Sequence, residues 1–305
     1  MAHFTIRQLQ VFVDAADTLS FARVAERLRL TPSAVSFQVR QIEQQVGFAL
    51  FERIGRRVSL TEAGRTLVDY ARPVLRSMHD AEQAVLALSG VTSGQVRLGL
   101  VSTAKYIVPH MIARFRTLHP GVKVLLQEGN RSQILTALIG GSIDLAIMGQ
   151  PPPDAEVIAE RFAPHPSVIL ASPNHRLAGK ADLPPAALAG EFFVVREDGS
   201  GTRGLLDRFF HEFGIAPSIA METTSNETIK QAVMAGMGVA LLSQHTVALE
   251  RSLGLVAVLD VQGFPVMRSW FVVQRRSLPL LPVQARLRGY VIEEGRRVIE
   301  EITGT

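Results

Sequence analysis

The sequence predicts an N-terminal all-α winged helix-turn-helix, a long dimerisation linker helix and a C-terminal bilobed α/β domain. Three observations predict it. Residues 20–57 read as two short helices around a tight turn and then a basic loop. Residues 67–88 carry apolar residues at alternating spacings of four and three. From Gln95 onward, short apolar runs alternate with helical patterns. The predicted domains are residues 1–60, the linker helix 61–89, and 90–305. The last splits into lobe I (95–160 plus 267–305) and lobe II (161–266).

In residues 5–17, Ile6, Leu9, Phe12, Val13 and Ala16 mark the inner face of a first helix. Ser20 caps a second helix, whose Phe21, Val24, Ala25 and Leu28 recur at i, i+3, i+4 and i+7. Thr31-Pro32 opens a third, with a capping hydroxyl followed by proline at the first helical position. Val35, Val39, Ile42 and Val46 form its buried stripe, and Gly47 stops it. Its opposite face carries Ser33, Ser36, Phe37, Arg40 and Gln44. This is the pattern of a helix-turn-helix. Phe48–Phe51 and Val58–Leu60 read as strands flanking a hairpin with Gly55 at its tip.

Leu67, Ala71, Val74, Met78, Ala81, Val85 and Leu88 form an a/d seam. Such a seam packs on its own domain or on a second copy. The 3.5-residue period and its place between domains favour the second copy. Pro73 should kink this helix, and residues 89–94 read as a linker. The βαβαβ rhythm of 96–148 argues a parallel sheet covered by helices, and Pro151–Pro153 interrupts it. A second set follows with strands at 167–172, 192–195, 218–222 and 239–242 and helices at 204–213 and 226–235. A late strand at 270–274 and a final helix at 282–299 return the chain.

Eight arginines against five acids within residues 1–60 leave +3 of the chain's net +4 there. That balance suits a nucleic-acid partner or a solvated basic face. The chain has no cysteine, which excludes disulfides, thiol nucleophiles and thiolate metal sites. It has no apolar run near the length of a membrane span and no signal peptide, so a cytoplasmic location without membrane contact is expected. The eight histidines lack metal-site spacing, and neither G-x-S-x-G nor a P-loop occurs. No metal and no catalytic residue is therefore expected.

Thr31–Ser36, Gln41–Glu43, Gly47, Leu50–Arg53 and Leu60–Gly64, with Gly199–Arg203 and Gly236–Val239 in the tail, make the whole chain resemble the LysR-type transcriptional regulators. Ser225–Val233 is similar to the regulators of carbon-fixation (Calvin cycle, RuBisCO) operons. The resemblance implies a non-enzymatic regulator or activator with a periplasmic-binding-protein-like tail. It also implies a homodimer that assembles further into a homotetramer, with RNA polymerase as a partner. A DNA-tethered enzyme with a bilobed catalytic domain is the alternative.

Thr31, Ser33, Ser36, Gln38 and Arg40 are expected to read base edges or hold phosphates of double-stranded DNA. Arg53, Arg56 and Arg57 on the wing are expected at phosphates or the minor groove. Phe37 either contacts a thymine methyl or tucks against the wing. A two-fold dimer requires an interrupted palindrome as operator. In the tail, hydroxyls and amides stand at three strand-to-helix junctions, Ser102-Thr103, Ser200-Gly201-Thr202 and Ser225-Asn226. With Arg203, Tyr106, Gln127, Asn130 and Glu227 they are expected to line a cleft for a small anionic effector. Each junction taken alone reads more readily as a plain N-cap, and the three together on a bilobed scaffold favour ligand binding. The resemblance implies a phosphorylated metabolite or a nicotinamide nucleotide as effector, with no cofactor. Gly199-x-Gly201-x-x-Gly204 also fits a dinucleotide fingerprint, with Glu222 downstream as the ribose acid.

Overall fold

The computed structural model describes residues 4–54, 57–87 and 94–304, leaving the side chains of 53, 54, 57, 83, 86 and 87 outside that description. The chain divides into two compact units, Met1–Ser89 and Gly90–Thr305.

In the first unit, α1 (Ile6–Thr18) begins with a reciprocal capping box between Thr5 and Gln8. Ser20 caps α2 (Phe21–Leu28), and Thr31 caps α3 (Pro32–Val46). Between them, Arg29 takes the left-handed conformation (φ 53°), which sets the tight turn of the motif. Val11, Val24, Val35 and Val39 close one small core, and Phe12, Ile42, Leu50 and Val68 close another. The strands β1 (Phe51–Ile54) and β2 (Arg57–Leu60) pair antiparallel. The first strand therefore starts at Phe51, not Phe48, because Leu50 is drawn into the helical core. Together β1 and β2 are the two strands of the expected wing. The Glu43 carboxylate accepts from the Leu50 N–H at 2.8 Å, tying α3 to the start of the wing.

The helix α4 (Glu62–Ala87) runs through Pro73. Its seam divides in two. Ala71 is buried in the unit's own core and Leu67 packs against that core, so these two positions close the parent domain. Val74, Met78, Ala81 and Val85 are exposed. Leu88 lies outside the described residues.

The second unit begins with β3 (Gly94–Val101). A 3-10 turn (Ala104–Tyr106) and α5 (Val108–Leu118) replace one expected helix, with Pro109 in the first turn of α5. Then come β4 (Val122–Gly129), α6 (Arg131–Ile139) and β5 (Leu145–Met148). Next are β6 (Val157–Ala171), β7 (Phe192–Arg196), α7 (Gly201–Glu212), β8 (Ser218–Thr223) and α8 (Asn226–Met234). The chain closes with β9 (Ala240–Ser243), α9 (Ala248–Ser252), β10 (Ala257–Leu259), β11 (Val266–Arg275) and α10 (Pro282–Thr303).

The main sheet is mixed rather than parallel. Strand β3 runs parallel to β4 and β5, but β11 is antiparallel to both β5 and β6. Strand β6 is far longer than the 167–172 expected from sequence. Pro164 and Pro166 hide its first half, yet both are tolerated. There β6 pairs with β11 alone, and β9 and β10 join it only from Ser167 onward, which leaves an open edge for the missing N–H groups. Phe162, Ala163 and Trp270 belong to the core of lobe I, with Leu98, Phe115 and Val291. Ile169 and Val168 belong to the two clusters of lobe II. The antiparallel pair β6–β11 thus crosses between the lobes near residues 164–167 and 266–269.

Candidate functional site

Between the lobes lies a cleft of about 580 Å³. Lobe I supplies Val101, Ser102 and Thr103 at the end of β3, Asn130 and Arg131 at the start of α6, and Gly149–Pro153 after β5. Lobe II supplies Arg196 at the end of β7, Ser200, Gly201 and Thr202 at the start of α7, and Arg208 two turns along it. The crossing strand β11 adds Met267, Arg268 and Ser269. Two helix N-termini, capped by Asn130 (2.9 Å to Gln133 N) and Ser200 (3.2 Å to Thr202 N), thus open at the cleft. Such ends present partial positive charge. Gly199 (φ +80°) lets the lobes meet there, since a Cβ would stand 3.2 Å from the Ser132 hydroxyl.

Four arginines line the cleft. Arg196 is buried and fully engaged. It pairs with Glu197 (2.8 Å) and donates to Asn226 Oδ1 (2.7 Å) and Ser102 Oγ (3.4 Å). Arg268 donates to Ser167 Oγ at 2.8 Å and to the Gly201 carbonyl at 3.3 Å, while its Nε is buried without a partner. Burial, with Arg208 and Arg131 close by, pulls its guanidinium down to about 10. No ion pair with an acid is found for Arg131, Arg208 or Arg268 among the described residues. The cleft therefore gathers three arginines without an acid partner among the described residues, Arg268 half-buried and Arg131 and Arg208 exposed.

Of the residues expected at the cleft, Ser102, Thr103, Asn130, Ser200, Gly201 and Thr202 line it. The others do not. Gln127 is exposed on the edge strand β4. Arg203 is taken by Glu222 (2.7 Å) and Asp207 (2.9 Å). Ser225 caps α8 through Thr228 N, and Asn226 is fully buried under Arg196. Tyr106 and Glu227 bond to each other across the lobes. The dinucleotide fingerprint also fails. Its third glycine, Gly204, faces open space rather than a close helix–strand contact, and its acid Glu222 is held by Arg203. Sequence reading missed Arg131, Arg196, Arg208, Arg268 and the Gly149–Pro153 turn. Only Arg196, ending the apolar run Phe192–Val195 with a charge, carried a local signal.

On the first unit, Thr31, Ser33, Phe37 and Arg40 are exposed along α3, and Ser36 and Gln38 are half-buried. Phe37 is 52% exposed, which does not fit a ring tucked against the wing. Thr31 Oγ1 and Ser33 Oγ stand 2.9 Å apart at the helix start. Arg53 and Arg57 lie on the wing strands with undescribed side chains, and Arg56 lies outside the described residues.

Comparison with known proteins accounts for both units. Residues 6–65 match the helix-turn-helix of bacterial regulatory proteins of the lysR family, and residues 89–296 match the LysR substrate binding domain. The chain belongs to the LysR family. A RuBisCO operon transcriptional regulator of Allochromatium vinosum is 42% identical over 97% of this chain and 98% of its own. The regulatory domain of Synechocystis CcmR in complex with 2-PG is 35% identical, with a TM-score of 0.64 over 66% of this chain and 96% of that one. Full-length CbnR complexed with its target DNA shares the fold at 20% identity, with a TM-score of 0.72 over 95% of this chain and 99% of that one. This LysR-type transcriptional regulator thus pairs a DNA-binding unit with an effector-type unit.

Two buried histidines of this regulator, His165 and His245, serve its fold. His165 stacks on Trp270 at 3.7 Å between ring centres, and the Trp270 indole N–H donates to His245 Nδ1 at 3.1 Å. Burial pulls His245 down to about 4, and burial also holds His165 well below its ordinary value. Both rings fold neutral, so their contribution is complete above the unfolded value near 6.5 and is lost as pH falls below it. For His245 the loss accumulates down to about pH 4 and amounts to about 3 kcal/mol. Urea unfolding followed by the fluorescence of the single tryptophan should therefore show markedly lower stability at pH 4.5 than at pH 7, and a flat profile would contradict this account.

Proposed function

We propose that this protein controls a carbon-fixation operon as a dimeric or tetrameric activator, and that a small, multiply charged anion in the inter-lobe cleft sets its action on DNA. The observation that carries the reading is the convergence of Arg131, Arg208 and Arg268, without an acid partner among the described residues, on two helix N-termini. Bringing like charges together costs energy that an anion returns. Among the described residues, the lining contains no aromatic ring for a base to stack on. This favours a compact phosphorylated metabolite over a nicotinamide nucleotide. The carbon-fixation assignment rests on relatives such as the RuBisCO operon regulator of Allochromatium vinosum, and the effector class on the Synechocystis domain that holds 2-PG.

A non-catalytic role is supported by the lining, which among the described residues has neither carboxylate nor histidine to move a proton. Ser33, Ser36, Phe37, Gln38 and Arg40 are assigned to base edges and backbone in the major groove, and the wing arginines to phosphates. Val74, Met78, Ala81 and Val85 are assigned to a second copy, which makes the operator an interrupted palindrome. RNA polymerase is the partner an activator requires. No described helix is long and apolar enough to cross a membrane, which accords with action in the cytoplasm.

Isothermal titration of the full-length protein with 2-PG and with inorganic phosphate tests the cleft. Saturable binding that salt weakens is expected, and heats no different from buffer would refute the effector reading. For the DNA face, Arg53→Ala should weaken binding at every sequence and flatten the salt slope by about one unit per lost phosphate contact. An unchanged slope would remove Arg53 from the interface.

A further inference from the structure

A second cross-lobe cluster stands apart from the residues that line the cleft. Tyr106, in the 3-10 turn of lobe I, donates its hydroxyl to the Glu227 carboxylate in the first turn of α8 in lobe II. Lys230, one turn along, reaches the same carboxylate at 3.0 Å and Glu250 of α9 at 2.7 Å. Its side chain is only 5% exposed, and its Nζ lies 4.8 Å from the centre of the Tyr106 ring. Lys105 approaches that ring from lobe I while pairing with Glu128 at 3.4 Å.

The charges fit this geometry. Burial and the bond to Glu227 push the Tyr106 hydroxyl well above its ordinary value, so it remains a donor. Against the pull of burial, Tyr106 and Lys230 hold the Glu227 carboxyl below its ordinary range, so it remains an acceptor. Opening the lobes would leave the Tyr106 hydroxyl without its acceptor and take its ring away from the Lys230 ammonium, while Lys230 keeps Glu227 and Glu250 within lobe II. The same helix turn also leads to the cleft. Asn226 holds Arg196, and Arg196 reaches Ser102 of lobe I. The start of α8 is thus tied to lobe I twice, once beside the cleft and once through Tyr106.

We propose that Tyr106, Glu227 and Lys230 form a latch that holds the lobes in the closure in which both face the effector. The latch sets sensitivity without touching the effector, because apparent affinity scales with the fraction of protein in the competent state. Its role in sensitivity rests on the effector reading above, whereas its role in lobe closure does not.

Two measurements on the full-length protein test it, using Tyr106→Phe and Glu227→Gln, which preserve shape. The first is hydrogen–deuterium exchange without ligand. Both variants should exchange faster in the crossing segments 164–167 and 266–269 as well as beside the latch. The second is titration with 2-PG, where each variant should bind roughly tenfold more weakly and the double variant no worse than the weaker single one. Exchange altered only at 104–106 and α8, with 2-PG affinity within about twofold of the parent, would overturn the latch. If the parent protein itself fails to bind 2-PG, the effector reading falls. The exchange in the crossing segments then decides the latch alone, with faster exchange upholding it and unchanged exchange overturning it.

Discussion

Replacing Arg268 by glutamine should weaken 2-PG binding by about 2–4 kcal/mol, on the order of 30- to 1000-fold, and abolish the effector's influence on DNA at concentrations that saturate the parent. Arg268 is the central charge of the cleft. It stands on the strand that joins the lobes, already bonded to Ser167 and Gly201, with its Nε buried and unpartnered. Glutamine can keep a donor near Ser167 but lacks the charge. The ligand-free protein should not become less stable, because the charge removed is one that burial and the neighbouring Arg208 and Arg131 disfavour. Calorimetry and thermal melting of the same sample check both halves. Lower affinity together with a melting temperature several degrees lower would point to a structural role instead.

A second large effect is expected in the other unit. Gly64 sits in the first turns of α4, where a Cβ would lie 2.1 Å from the Leu50 carbonyl oxygen and 2.9 Å from the Leu60 side chain. Alanine there forces α4 away from the start of the wing, against a backbone atom that cannot rotate aside. The same region is bonded by Thr61 Oγ1 to the Ala49 carbonyl at 2.7 Å and by Glu43 to the Leu50 N–H. Overpacking against backbone costs upward of about 1–3 kcal/mol in a small domain with little stability to spare. Gly64→Ala should lose operator binding near the growth temperature while 2-PG binding stays intact. Retention of operator affinity would mean that α4 shifts freely. It would then not fix the wing.

The two units differed in how far their sequences could be read. The DNA-binding unit is built from contacts close in sequence, each with its own local signature. Thr31-Pro32 starts α3 and Gly47 (φ 76°) ends it. The inner face of the linker helix was harder. A repeating apolar seam does not say which turns stay with the parent domain, and Ala71 proved to be core. In the tail, the expected residues that line the cleft stand at strand ends and helix starts, where topology alone puts ligands. The arginines were illegible because each stands at ordinary spacing. Their convergence depends on β6 and β11 crossing between lobes, and Pro164 and Pro166 concealed that strand. Tyr106 and Glu227 stand at the same kind of junction, but each found its partner in the opposite lobe.

The most direct test of effector control is a footprint of the full-length protein on an operator selected from a random pool, with and without 2-PG. An interrupted palindrome should be protected in both states. Saturating 2-PG should change the spacing of protection and the DNA bend, and Arg268→Gln should remove that change while leaving the effector-free footprint in place. An identical footprint and bend across the titration, with calorimetry confirming that 2-PG is bound, would contradict the claim that the cleft governs the DNA-binding unit.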